Sequence, residues 1–164
     1  MKLLFSGEAF WHLCGFPVTE RYPAVQAMRV HLEDQQQVFF YKDAEEMALE
    51  SGRDTELTAF FQFNMKHKDV PPTELPKYVD MPDLHVYDAQ KKEWKKRLRG
   101  KNSVIGRVHS INPVSGDVYY LRLLLHDDHC RGKKLYADML KLPNGNVCET
   151  FKQVCCELGM LADD

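Results

Sequence analysis

The sequence predicts an α+β domain in which central antiparallel strands are flanked by short helices at both ends. Three observations lead to this fold class. The chain has 164 residues, enough for one domain and short for two, with 44% hydrophobic and 28% charged residues. Apolar residues recur at helical spacing near both ends. Between them, short runs rich in β-branched and aromatic residues are separated by polar turns. We therefore expect a single domain over residues 1–164.

Helical patterns occur in four segments. The first covers 8–13, where Ser6 can cap the helix and Gly15 can end it. The second covers 56–66, where apolar residues share one face, and the prolines at 71 and 72 follow it. The run 117–125 fits a buried helix or a buried strand, and we favour a helix. The last helix follows a capping-box pair, Thr150 and Gln153, and ends at Gly159.

The strands predicted between these helices form two groups. Segments 26–32 and 37–41 are joined by the polar turn 33–35 and predict a hairpin. Segments 84–87, 94–98 and 104–111 are joined by turns at 88–91 and 100–102, so they predict three consecutive antiparallel strands. The acidic stretch 43–54 predicts a loop or a poorly fixed helix.

Several classes of protein are excluded by what the sequence lacks. No apolar run reaches the length of a membrane-spanning helix. There is no GxxxxGK[ST] phosphate loop, no dinucleotide-binding GxGxxG, no HExxH and no CxxC pair. No serine nucleophile elbow is present, and no catalytic residue is predicted. Five cysteines cannot all pair within the chain, which favours reduced thiols in a cytosolic or nuclear compartment.

Charge is distributed unevenly along the chain. Residues 31–60 carry a net charge of −6, whereas residues 85–107 carry eight basic and two acidic residues, a net charge of +6. A tryptophan lies inside the basic segment. Cations beside an aromatic ring suit nucleic acid, because phosphates take the charge while bases stack on the ring. A solvated hairpin without a ligand explains the same charges. The candidate nucleic-acid contacts are Lys91, Lys92, Trp94, Lys95, Lys96, Arg97, Arg99, Lys101 and Arg107.

A second cluster, His126-Asp127-Asp128-His129-Cys130, contains residue types that bind metals. His126, His129 and Cys130, with Cys148, are the candidate ligands of a small zinc module. However, zinc ligands ordinarily occur as regularly spaced pairs, so we interpret the cluster as a polar loop and predict no metal site. Arg122 stands alone among apolar neighbours. It therefore needs an acidic partner in the chain, a phosphate, or a neighbouring domain.

Several ordered segments together resemble one known family. They are residues 30–40, 57–61, 92–97, 105–108, 119–125, 144–145, 150–152 and 158–161, followed by Asp163 and Asp164. In order and spacing, this set resembles the segment of eukaryotic Helitron transposon proteins that lies between the paired-histidine nickase and the ATP-dependent DNA helicase domain. The resemblance covers about residues 7–164. It departs from the usual pattern at 126–134, where the family has a shorter connection.

The resemblance implies a nuclear protein that takes part in rolling-circle-like transposition and DNA recombination. It also implies that the catalytic residues lie outside this segment, as do the binding sites for ATP and magnesium. No cofactor is therefore expected in this chain. The expected partners are single-stranded DNA and the adjacent nickase and helicase domains, with no membrane.

Two alternatives to a DNA-binding or domain-docking module remain open. One is a structural protein-interaction fragment without DNA binding, for which exposed Phe39, Phe61 or Leu124 would be the signature. The other is the metal-binding module described above.

Overall fold

The structure is a computed structural model that describes Cys14 and residues 23–35, 54–98 and 104–161. Over these residues, helices and strands are mixed, as the predicted α+β class requires. The strands are β1 (Ala24–Met28), β2 (His85–Asp88), β3 (Glu93–Lys96) and β4 (Val104–Val108). The helices are α1 (Glu56–Lys66), α2 (Met81–Leu84), α3 (Asp117–Leu124), α4 (Tyr136–Met139) and α5 (Phe151–Glu157). The helix predicted at 8–13, the strand at 37–41 and the acidic segment up to residue 53 lie outside the described residues.

Helix α1 confirms the predicted bounds and forms the centre of the core. Its first turn is held by a capping box, in which the side chains of Thr55 and Thr58 each accept a backbone N–H from the other residue. Leu57 and Phe60 on its inner face are fully buried. The Phe60 ring lies 5.4 Å from the ring of buried Tyr78, whose hydroxyl donates a hydrogen bond to the Arg29 carbonyl. This contact joins α1 to the end of β1.

The predicted hairpin of β2 and β3 is confirmed. The two strands are antiparallel, with His85 opposite Lys96 and Asp88 opposite Glu93. The Asp88 carboxylate accepts the backbone N–H groups of Gln90 and Lys91, each at 3.0 Å, which fixes the turn between the strands.

The prediction that β4 continues this antiparallel group is wrong. β4 pairs with β1 instead, and the pair is parallel, from Ala24 with Val104 to Met28 with Val108. Gly106 explains the position of β4, because a Cβ there would lie 2.1 Å from the Val79 carbonyl oxygen. The strand therefore packs directly on the 3₁₀ turn Tyr78–Asp80, beside Met28 of β1. A glycine is needed for this backbone approach.

The C-terminal third confirms two further helix predictions. Helix α3 buries Leu121 and Leu124, and it packs against α5. Helix α5 starts with the predicted capping box of Thr150 and Gln153. The chain then leaves α5 through Gly159, whose φ of 66° is the left-handed conformation expected after a helix.

We predict that Gly106→Ala destabilises the protein by about 2–3 kcal/mol, because the added methyl group meets backbone that cannot move aside cheaply. The free energy of unfolding in urea measures this change. Ile105→Val on the same strand is the matched control. Ile105 is half exposed, so its substitution should change stability by no more than about 0.5 kcal/mol. Equal effects of the two substitutions would contradict the close packing of β4.

Candidate nucleic-acid interface

The β2–β3 hairpin holds most of the predicted nucleic-acid contacts. Lys91 and Lys92 lie in its turn, residues 94–96 lie on β3, and Arg97 follows directly. Arg107 lies on β4 in the other sheet, next to Ala27 of β1 in the strand register. Arg99 and Lys101 lie outside the described residues. The structure therefore groups six of the nine predicted residues and places Arg107 apart from them.

Two of these cations are paired with carboxylates. The Lys95 ammonium lies 2.5 Å from Asp88 and 4.0 Å from Glu93. The hydrogen bond from Lys95, together with the backbone N–H groups of the turn, lowers the pKa of Asp88 to about 2. Lys92 lies 3.5 Å from Asp54, which belongs to the acidic segment identified in the sequence. The acidic and basic segments therefore meet in the fold.

Arg97 anchors the hairpin. Its Nε and Nη2 atoms donate to the Pro82 carbonyl at 3.1 and 2.8 Å, and its backbone N–H donates to the Leu84 carbonyl. Both acceptors lie on α2. These hydrogen bonds hold the end of β3 against α2. The Arg97 side chain, for which a phosphate contact was predicted, is therefore used within the fold.

The stacking role predicted for Trp94 does not agree with its position. The residue is 7% exposed, and its indole N–H donates to the Glu56 carbonyl at 3.0 Å. Its ring lies 5.5 Å from that of Tyr87. Side chains alternate along a strand, so Trp94 faces α1 while the exposed Lys95 points to the opposite side. That alternation is the sequence signal that could have placed Trp94 in the core.

Lys91 and Lys96 are the two exposed hairpin lysines that form no ion pair with a carboxylate of the described residues. Residues 85–98 contain five basic and two acidic residues, so the hairpin retains a net charge of +3. This charge lies on one short element that α1 and α2 hold in place. It is the most strongly basic surface feature that the structure assembles from the predicted residues.

The cluster at 126–130 is divided between the surface and the core. The His126 ring donates from Nδ1 to the Arg122 carbonyl at the exposed end of α3. His129 is buried and donates from Nε2 to the Met139 carbonyl. Burial raises the pKa of the Cys130 thiol to about 11, and its Sγ lies 3.6 Å from the Leu125 carbonyl. Within 23–35, 54–98 and 104–161, no three metal-binding side chains converge.

Arg122 contacts the backbone and not an acid. Its Nε donates to the His109 carbonyl at 2.9 Å, just beyond the end of β4. In the part of the chain that the structure describes, no carboxylate pairs with it. The internal acidic partner considered for Arg122 is therefore not found there, and the guanidinium links α3 to the β1–β4 sheet.

A cleft that the sequence did not predict lies beside the hairpin. It has a volume of about 430 Å³ and brings His67, after α1, close to His85 and Lys96 on the paired strands. His67 and His85 are 18 positions apart and belong to no common motif. Only the packing of α1 on the hairpin brings them together, so no sequence signal could have identified the cleft.

Comparison with known proteins does not assign the chain. No known protein family matches the sequence. No curated protein matches it either. The Helitron resemblance thus stays a prediction that rests on the segments quoted above. Among the described helices, none has the length and apolar character needed to cross a bilayer.

We predict that Trp94→Ala lowers the free energy of unfolding by about 3–5 kcal/mol, because it leaves a cavity against α1 and removes the bond to Glu56. Urea unfolding measures the change. Lys91→Ala in the turn of the same hairpin is the control and should have a small effect. A Trp94→Ala protein as stable as the parent would restore Trp94 as an exposed stacking platform.

A second prediction concerns pH. Burial lowers the pKa of His31, His85 and His129 below the ordinary value of 6.5. The unfolded chain therefore binds more protons than the native state as pH falls through 6.5. Unfolding midpoints in urea should consequently decrease steadily from pH 7.5 to pH 5.5. A midpoint that stayed constant or rose over this interval would contradict the burial of these rings.

Proposed function

We propose that this chain is a non-catalytic DNA-binding or domain-docking module, of the kind that the Helitron resemblance implies, and that single-stranded DNA is its partner. In this proposal, the chain works in the nucleus next to nickase and helicase domains. ATP and magnesium are bound by the helicase domain and not by this chain. The DNA contact is electrostatic and independent of sequence.

The net charge of +3 on the β2–β3 hairpin supports this proposal. Lys91 and Lys96 are exposed, and neither has a carboxylate partner among the described residues, so a phosphate can approach them without displacing an acid. Counterion release then favours binding. Because Trp94 is buried, the hairpin itself contributes charge and not base stacking.

The ion pairs of the hairpin do not prevent this contact. The Lys95 side chain is 44% exposed, although it is paired with Asp88. Exposed ion pairs contribute little to stability and are screened by salt. A phosphate can therefore compete with Asp88 for Lys95, whereas Arg97 is held by two bonds to Pro82 and stays in place.

A second candidate function is domain docking without DNA binding. Phe61 and Leu124, whose exposure would have indicated docking, are both buried, and Phe39 lies outside the described residues. Different apolar residues are exposed. Val25 and Ile105 are adjacent across the β1–β4 pair and are 40% and 52% exposed. An apolar partner could bury both of these adjacent side chains at once, and this observation favours docking.

Salt dependence of DNA binding tests the proposal. We predict that the double substitution Lys91→Gln and Lys96→Gln weakens binding to a labelled oligothymidylate. The slope of log affinity against log salt should fall by about 1.4, since each phosphate contact to a single strand contributes about 0.7. Fluorescence anisotropy at several salt concentrations measures both quantities.

The matched control substitutes two exposed lysines from the C-terminal third, Lys141→Gln and Lys152→Gln, which remove the same charge elsewhere. The control should leave the slope nearly unchanged. If both double variants lose affinity equally, the hairpin is not the DNA-binding surface. If the parent protein does not bind the oligonucleotide, the domain-docking function is favoured.

A further inference from the structure

The cleft beside the hairpin has walls of two kinds. Its apolar side is formed by Phe63 of α1, Trp94 of β3 and Leu84 at the end of α2, together with residues 75–76. Its polar side carries His67, His85 and Lys96, and Glu74 is the one carboxylate among its lining residues. A concave site of several hundred Å³, apolar with a few converging polar groups, is typical of small-molecule binding.

His67 is fixed in orientation but remains exposed. Its ring lies 4.2 Å from the Phe63 ring, with 33° between the two planes. Its Nδ1 donates to the Phe63 carbonyl at 2.9 Å, which holds the ring in one orientation. Phe63 covers one side of the imidazole. An exposed aromatic ring held in this way is a surface on which a planar group can stack.

His85 carries a polar atom without a partner. Its ring meets Phe63 edge to face at 4.8 Å. Its Nδ1 is buried and makes no hydrogen bond within the part of the chain that the structure describes. Burial, together with the charges of His67 and Lys96, lowers the pKa of this imidazole, so it is neutral at neutral pH. His85 therefore contributes to the cleft as part of its wall, because its Nδ1 is not accessible to a ligand.

Lys96 connects the cleft to the basic hairpin. It follows Trp94 at the spacing that puts both side chains on the same side of β3, and it lines the cleft at its exposed edge. It pairs with no carboxylate of the described residues. A ligand whose flat part enters the cleft would thus have its anionic part near an ammonium group that pairs with no carboxylate of the described residues.

We propose that this cleft binds one unstacked nucleotide of a single strand. This inference rests on the proposed function and extends it. The base stacks on His67 beside the apolar wall that contains Trp94, and Lys96 contacts the adjoining phosphate. Proteins bind unpaired bases in this manner, by stacking on aromatic or histidine rings beside cations. A base in a duplex could not enter, so the proposed site predicts a preference for single strands.

Trp94 provides a direct readout, because it lines the cleft and the chain has only one other tryptophan, Trp11. In full-length Trp11→Phe protein, indole emission reports on the cleft alone. Titration with thymidine monophosphate and with a short oligothymidylate should change this emission saturably. Inorganic phosphate and thymidine should each bind at least about tenfold more weakly than the nucleotide. Ring-proton NMR signals of His67 and His85 in the unsubstituted protein give a second measurement that does not depend on Trp11.

Substitutions at His67 test the stacking contact. His67→Ala should weaken nucleotide binding about tenfold, while His67→Phe should retain most of it, because a phenyl ring also stacks. His126→Ala, at the exposed end of α3, is the matched control and should have no effect. Loss of binding in all three variants, or in none, would overturn the proposal.

The two proposals fail in different ways. If anisotropy shows that the oligothymidylate binds and depends on Lys91, yet Trp94 emission and the His67 and His85 signals do not change, the cleft is not a nucleotide site and the electrostatic function stands. If the oligonucleotide produces neither signal, both proposals are overturned. If the mononucleotide changes Trp94 emission and His67→Ala abolishes the change, the cleft is confirmed.

Discussion

The contact between Trp94 and helix α1 determines the geometry of the basic region. The indole is buried, and its N–H bonds to the Glu56 carbonyl at the first residue of α1. This bond fixes β3 relative to the helix, and the strand alternation then sets every other side chain on β3. Lys95 lies on the outer side beside Asp88, while Lys96 lies at the edge of the cleft. The cleft itself exists because α1 and the hairpin are held together.

Acidic and basic segments that are separated in the sequence are brought together in the fold. Segments of net charge −6 and +6 lie apart in the sequence, at 31–60 and 85–107, and Asp54 and Lys92 show that they meet in the fold. Pairing reduces the field of the basic segment, yet it leaves the hairpin with an excess of cations. A protein–nucleic acid contact built on this surface is weak and sensitive to salt. In the proposed function, such a contact would position DNA for neighbouring domains.

Local features of the fold could be predicted from the sequence, and pairings between distant segments could not. Helix α1, the capping box of α5 and the Asp88 turn were predicted because each depends on residues close in sequence. The parallel pairing of β4 with β1 depends on the contact between Gly106 and Val79, which no periodicity reveals. For the same reason, the sequence identified the lysines of the hairpin but missed the cleft and the burial of Trp94.

The β1–β4 pairing has a consequence for the order of folding events. Ala24 and Val104 are 80 positions apart, whereas the strands of the β2–β3 hairpin are separated only by a short turn. Closing the long loop carries a larger entropy cost and contributes to a slow folding rate. Helix α1 and the hairpin need only local closure, so we expect them to assemble early. The parallel ladder would then add last, on a nucleus that already contains Trp94 in its final place.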